Sequence, residues 1–349
     1  MTLATISPTR IPPRVKQEVR ILFVAKHALG DGSMHREDGN HAVYHREVRD
    51  ILEGLGLRLS VADSYAALFD RPDVDFVFPL LNRGGFFNSE MLLPLLCTRA
   101  GLPFLGASPI LRGQSDDKHL TKLEARARHV PTAPWRVFRR GAPVDVSRCP
   151  DAQRWVIKPN ASSASWGVQD AFDHAGIARA IAYLHDEGHD AIVEPFIAGS
   201  DVEVPVITID GKPQIMPMMQ FLQRDPDHLR TYSEKRDLVS RAGKYSLVPF
   251  TNEAMARRIA AMTQALIDVF WPFDYGRFEF RIGEENEDIQ FLEVNLNCNL
   301  WSKKVFGRSA ELAGMSQADL IETIVAESLK RHGLFAQGAG AIVPNRDAA

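Results

Sequence analysis

The residues in this chain whose types and spacing could do chemistry are two acids and an amide on what reads as one hairpin. Tyr275–Ile282 reads as a strand that sets Arg277, Glu279 and Arg281 on one face and Phe278, Phe280 and Ile282 on the other, because side chains alternate. Ile289–Asn295 reads as its partner, with Glu293 and Asn295 on one face and Leu292 and Val294 on the other. The polar Gly283–Asp288 segment supplies the turn. A hairpin symmetric about Asn286 opposes Glu279 to Glu293 and Arg277 to Asn295, and brings the phenylalanines against Leu292 and Val294. Opposed Cβ atoms lie roughly 4.5–5.5 Å apart, where like charges repel. A divalent cation removes that repulsion, since carboxylate and amide oxygens are ligands Mg²⁺ accepts, usually beside substrate phosphates. Spacing alone equally allows a solvated face on which Arg277 and Arg281 neutralise the acids.

Lys158 ends a short strand and precedes Pro-Asn-Ala-Ser-Ser-Ala-Ser-Trp-Gly. Such a small-residue loop can turn backbone N–H groups toward a phosphate with the lysine as counter-charge, or be an ordinary turn. It lacks the Gly-Lys-Ser/Thr ending of a P-loop. Gly30-Asp31-Gly32 lacks the third glycine of a dinucleotide fingerprint. His41 and His45 stand four apart near Glu47 without the H-E-x-x-H pattern, and read as solvated helix histidines.

The elements that must position these residues follow from periodicity. Ile21–Ala25, Leu57–Ala62, Phe76–Leu81 and Leu102–Leu105 read as strands, interleaved with helices at Val43–Leu55 and Glu90–Ala100, which predicts a parallel α/β unit. Further helices are expected at Lys118–Arg128, His174–Glu187, Asn252–Phe270 and Gln317–Arg331. Strands are expected at Trp155–Lys158 and Ala191–Glu194, and a hairpin of Val202–Ile209 and Pro213–Met218 around Asp210-Gly211. Arg224–Lys244 reads as a long polar loop, the kind that often serves as a lid or binding segment. The division expected is a loose tail over 1–18, units at 19–114, 115–197 and 198–333, and a second loose tail over 334–349.

Composition narrows the classes. Of 349 residues 45% are hydrophobic and 24% charged, near the globular norm, which excludes a disordered or collagen-like chain. A net charge of −3 without a basic cluster argues against nucleic-acid binding. Three scattered cysteines form no disulfide framework. With no membrane-length apolar run and no apolar h-region at the start, a reduced cytoplasmic protein is expected.

From about Val19 to Arg331 the chain resembles the ATP-grasp superfamily, most closely the D-alanine–D-alanine ligase group. The resembling segments run in order: Gly101-Leu-Pro-Phe-Leu-Gly106, Asp117-Lys118 with Lys122, Val156-Ile-Lys-Pro159, and Ile192-Val-Glu-Pro-Phe-Ile-Ala-Gly199. They continue with Tyr232 to Lys235, Gly276-Arg-Phe-Glu279, Phe291-Leu-Glu-Val-Asn-Leu-Asn297, and the helix after Gly314-Met315-Ser316. The resemblance implies an ATP-grasp fold behind an N-terminal parallel-sheet domain. It implies that Lys118 and Lys158 contact ATP phosphates and Lys235 the γ-phosphate. Glu194, Pro195, Phe196 and Ile197 would line the adenine pocket, with Asp201 near the ribose. Glu279, Glu293 and Asn295 would hold two Mg²⁺, or Mn²⁺ in their place. Arg277 would steady the oxyanion, and Ser165, in the small-residue loop, is expected to be catalytic with Arg277 and Lys235. The activity implied is phosphoryl transfer from ATP to a carboxylate, then amide formation with an amine. Partners would be amino-acid-like small molecules and a second copy in a homodimer.

Departures fall on the amino-acid side. Such ligases fix the first D-alanine with a glutamate after the first strand, a serine in the small-residue loop and a tyrosine after the loop lysine. Here the first position runs Lys26-His-Ala-Leu-Gly30, the second is Ala164 with Ser165 kept, and the third is Arg236. The family's His-Gly segment reads Asn82-Arg83-Gly84-Gly85, and its Ser-Pro-Gly reads Asn297-Cys298-Asn299. Lys303 and Lys304 stand where the second substrate's carboxylate would bind. Arg236, Asn299, Lys303 and Lys304 are therefore the expected substrate residues. The reading is a carboxylate–amine ligase whose substrates are not two D-alanines. The alternatives are a D-alanine–D-alanine ligase with a rearranged clamp, or an ATP-binding protein that has lost catalysis.

Overall fold

Residues 6–81, 89–240, 242–284 and 288–335 are described here, from a computed structural model. The segment expected as a loose tail is docked from Ile6 onward. Its prolines space out Ile6, Ile11 and Val15, which are buried. Thr9 and Arg10 bond to Glu327 and Glu322. Helix α1 (Pro13–Glu18) begins on Pro13, where the missing N–H costs nothing. Apolar residues scattered among prolines carry no periodicity, so the docking was not legible.

Strand β1 (Arg20–Val24) is followed by α2 (Asn40–Gly54), β2 (Arg58–Ala62), β3 (Phe76–Pro79) and α3 (Leu92–Arg99). The sheet is parallel in the order β2-β1-β3, as alternating strands and helices predict. Leu102–Leu105 is not a strand. Phe104 makes one bridge to Val77, and Pro103 beside it has no N–H to extend a ladder. Helices α4 (Pro109–Asp116) and α5 (Lys118–Ala127) lead onward, capped by Ser108 and Asp117.

The central unit contains β4 (Arg136–Phe138), β5 (Trp155–Pro159), β6 (Gln169–Ala171), α6 (His174–Asp186) and β7 (Ala191–Pro195). Its antiparallel sheet runs β4-β7-β5-β6. Helix α6 covers it with Ile177, Ala180, Ile181 and Leu184, each large side chain stabilising by about 1.5–3 kcal/mol on burial.

The third unit contains β8 (Gly199–Ile209), β9 (Lys212–Ile215), β10 (Met219–Gln223), α7 (Tyr232–Lys235), β11 (Tyr245–Pro249), α8 (Glu253–Phe270), β12 (Tyr275–Gly283), β13 (Ile289–Asn295), α9 (Val305–Leu312) and α10 (Gln317–Arg331). The sheet runs β11-β10-β8-β12-β13, with β9 on β8. Asp210 and Gly211 turn the β8–β9 hairpin with φ of 48° and 69°, as the dipeptide predicts. The 224–244 stretch is not one loop: Thr231 and Glu234 form a capping box that starts α7. Helix α8 packs Ile259, Leu266 and Phe270 on Phe278, Phe280 and Phe291. Helix α10 packs Ile321, Ile324 and Val325 into the core of the first sheet. Leu334 and Phe335, assigned to the second tail, are buried in that same core. Buried Asp274, just before β12, accepts from Gly106 N–H, Ser328 and Arg331, tying the first and third units together.

Candidate active site

The β12–β13 ladder opposes Glu279 to Glu293 and Arg277 to Asn295, the pairing that hairpin symmetry predicts. Strand β8, on the other side of β12, sets Glu203 opposite Glu279. Three carboxylates thus stand in one row across three strands. The symmetry fails beyond Glu279: a bulge pairs Phe280 with Phe291, and the two rings meet edge to face at 5.7 Å. Phe280 therefore does not meet Leu292. As the extra residue of the bulge, Leu292 is turned into the cleft beside Glu293.

The row is not a solvated face. Glu279 is 4% exposed, and Arg281 neutralises neither acid of the pair; it bonds Asp201 at 2.8 Å and the Ile197 carbonyl at 2.9 Å. Arg277 donates to Glu279 and lies 2.8 Å from Glu203. Asn295 donates its amide to Glu279 at 2.8 Å and Glu293 at 3.2 Å. Burial, joined by Glu203 and Glu293 against the pull of Arg277, raises Glu279 to about 7. Burial also opposes charge on Glu293, but Lys118, Lys158 and Lys235 outweigh it and hold that acid at about 2.

Lys118, Lys158, Ser165, Lys235, Glu279 and Glu293 line one cleft between the two antiparallel sheets. Lys118 Nζ reaches the Ser162 carbonyl at 2.9 Å and Glu293 at 3.3 Å. Ala164 and Ser165 hold left-handed φ of 55° and 59° in the small-residue loop, a conformation non-glycine residues adopt at a cost. Glu194, Pro195, Phe196, Ile197 and Asp201 line the far end. Glu194 is gripped by both Lys158 and Lys122, the latter at 2.7 Å. Its burial is outweighed by the two lysines, which lower it to about 2. Asp201 is shared by Arg230 and Arg281.

Sequence reasoning did not assign Glu203, Lys122 or Arg230 to the site. Glu203 had a signal, since strand alternation sets it on the face of Asp201. Lys122 had another, four residues from Lys118 on one helix. Arg230 lies in the stretch read as loop and had none.

On the substrate side, Arg236 directly follows α7, and its carbonyl accepts the Asn40 N–H at 3.0 Å. A Cβ at Gly39 would stand 1.9 Å from that oxygen, so only glycine allows α2 to approach. Lys304 donates to the Lys235 carbonyl at 3.3 Å and joins this side. Lys303 lies in an outer groove with Arg308 and Leu238. Asn299 lies outside both, its oxygen accepting from Trp301 N–H at 2.8 Å. Neither is brought to the cleft. His41 and His45 are not solvated. The helix runs from Asn40 rather than Val43, and its buried face includes His45 with Tyr44, Val48 and Leu52. The Asn82–Gly85 segment lies outside the described residues.

The site has lysines for phosphate oxygens and carboxylates for a cation, and among the described residues it has no activated nucleophile. Buried Cys298, beside Arg277, has its thiol pushed up to about 12 by desolvation. Positioning and charge neutralisation suffice for phosphoryl transfer.

A family model described as D-ala D-ala ligase C-terminus matches residues 127–326, from the end of α5 into α10. The chain belongs to the D-alanine–D-alanine ligase family. As a member it is an ATP-grasp ligase that forms C–N bonds. It is 26% identical over 305 residues to the D-alanine–D-alanine ligase of Haemophilus ducreyi, covering 86% of this chain and 96% of that one. It is also 26% identical to an uncharacterized protein, y4sG, of Sinorhizobium fredii over 69% of this chain and 70% of that one. The D-alanine–D-alanine ligase from Bacillus anthracis complexed with ATP superimposes with a TM-score of 0.69 at 15% identity, over 90% of this chain and 98% of that one. That last likeness is one of fold. The ATP-grasp architecture behind a parallel-sheet domain matches the sequence expectation. Among the described residues no helix is long and apolar enough to cross a membrane.

Proposed function

We propose that this ligase couples an acyl donor to an amine, both amino-acid-like, and that the pair is not two D-alanines. A carboxylate oxygen attacks the γ-phosphorus of ATP, and ADP leaves. The amine then attacks the acyl carbon of the acyl phosphate; the C–O bond breaks, phosphate departs with its electrons, and the nitrogen loses its proton. Lys118 and Lys158 hold the phosphates and Lys235 the transferring group. Glu194 to Ile197 receive the base, with Asp201 near the sugar. Arg277, clamped between Glu203 and Glu279, is the fixed donor for the tetrahedral oxyanion.

The carboxylate row fits Mg²⁺. Three acids in register, two of them buried and one raised to about 7, are relieved by a divalent charge, and Glu279, Glu293 and Asn295 would hold it once the Asn295 amide turns its oxygen inward. Bound there, the cation supplies charge neutralisation for the phosphate oxygens.

The observation that carries the reading is the contrast within one cleft. The lysines and the carboxylate row are complete, whereas the three positions that would clamp a first D-alanine hold no glutamate, Ala164 and Arg236. Losing buried polar partners of this kind shifts specificity by orders of magnitude. The names of the relatives favour a second reading, D-alanyl-D-alanine synthesis with a rebuilt clamp. ADP release across pairs of D- and L-amino acids, acidic ones included, decides between them. Turnover with one specific pair supports the proposal, and strong turnover with D-alanine alone supports the second reading.

A further inference from the structure

Buried donors without acceptors lie on α2 and on the Lys235–Arg236 turn that packs against it. His45 is 2% exposed, and its Nδ1 accepts the His27 backbone N–H at 3.2 Å. The ring is neutral, because burial, then the nearby His27 and Arg236, drive it down to about 3. A neutral imidazole that accepts at Nδ1 carries its proton on Nε2. That Nε2–H is buried with no partner. Arg236 Nε–H, on the facing turn, is likewise buried without a partner. Each such donor is destabilising unless something accepts from it.

The charges around these donors have the same sign preference. Asp38 is already engaged by Lys26 and His27. Among the described residues Tyr232 and Asp38 stabilise the Arg236 charge, and burial outweighs them to lower its pKa. Lys304 reaches the same turn. An incoming ammonium would meet donors and cations; an incoming carboxylate would satisfy both orphaned N–H groups.

The geometry points to a substrate that presents a carboxylate, not an ammonium, to His45 and Arg236. This rests on the ligase reading and narrows it: the acyl donor is a dicarboxylic acid, one carboxylate seated here and the other phosphorylated. Its group is opposite in charge to the one a glutamate-based clamp would hold.

Binding tests this without turnover. Succinate, glutarate, D-alanine and β-alanine are titrated by calorimetry into the full-length enzyme loaded with a non-hydrolysable ATP analogue and Mg²⁺. The expected result is a dicarboxylate bound at least tenfold tighter than either alanine. Arg236→Met and His45→Phe should each weaken it at least tenfold, with affinity for the ATP analogue unchanged as the check on folding. Arg236→Lys and His45→Gln, which each keep a donor, serve where the first pair fails that check and should lose less than threefold. Equal or tighter binding of D-alanine, no dicarboxylate binding, or no effect of the substitutions overturns the inference. The ligase reading fails separately. If a dicarboxylate binds but Mg²⁺, ATP and hydroxylamine yield no hydroxamate from it, no acyl phosphate forms, and the subsite stands without the reaction.

Discussion

The two halves of the cleft are built on opposite principles. In the nucleotide half cations and acids are set against one another: Lys122 and Lys158 on Glu194, Arg230 and Arg281 on Asp201, Lys118 on Glu293. In the substrate half His45 and Arg236 keep buried N–H groups that nothing accepts. A charge-balanced half can be formed before any ligand arrives, and its cation and phosphates exchange one set of ion pairs for another. The other half is fixed by packing, Gly39 against the Arg236 carbonyl and Asn40 on Lys235. What it binds must bring the missing acceptors. Chemistry is therefore legible in the first half and specificity in the second.

Substitutions can break that contrast. The largest effect is expected from Glu293→Gln, which removes one charge of the row: ATP turnover should fall on the order of 10³-fold, with little change in the denaturation midpoint, because Glu293 contacts the cleft rather than the core. Normal turnover would show that the row is structural. Arg277→Met should lower amide formation about 10²-fold while ATP affinity, measured by calorimetry, stays within threefold. Equal loss of both would move Arg277 to the phosphates.

Stability tests sharpen the comparison further. Lys122→Met leaves Glu194 with Lys158 alone, and should cost about 2–3 kcal/mol in urea unfolding besides weakening ATP. A neutral result would mean that the balance around Glu194 is solvated. The smallest effect is a pH slope from the other half. A base whose folded pKa is depressed takes up its proton on unfolding, so its contribution to stability falls as pH drops from 6.5 toward 3. For His45, held near 3 by burial, His27 and Arg236, that is about 2 kcal/mol lost between pH 7 and pH 5. His45→Gln should flatten this part of the profile, and an unchanged slope would place the titration on other groups such as His41.

Much of the first half could be read in advance because it rests on local rules. Alternation and hairpin arithmetic place Glu279 opposite Glu293 with no knowledge of the rest. The bulge that turns Leu292 inward escaped, since nothing in Phe291-Leu292-Glu293 marks which residue is extra. Glu203 joins the row only because β8 pairs with β12, a contact between strands far apart in the chain. His45 was misread for a different reason. The apolar spacing of α2 does not show which of its polar residues turn inward, because that face is set by packing on α10 and β2, which are separate segments of the chain.

The amino-acid sequence by itself determined the alternating first unit, the hairpin and its opposed acids, the Asp210-Gly211 turn, and the order of motifs that carries the family, since each depends on neighbours within a few residues or on residue identity. The tertiary structure decided which charges are paired, that the N-terminal segment is docked, and which polarity the substrate pocket presents. Those depend on burial, and burial is a property of how distant segments pack.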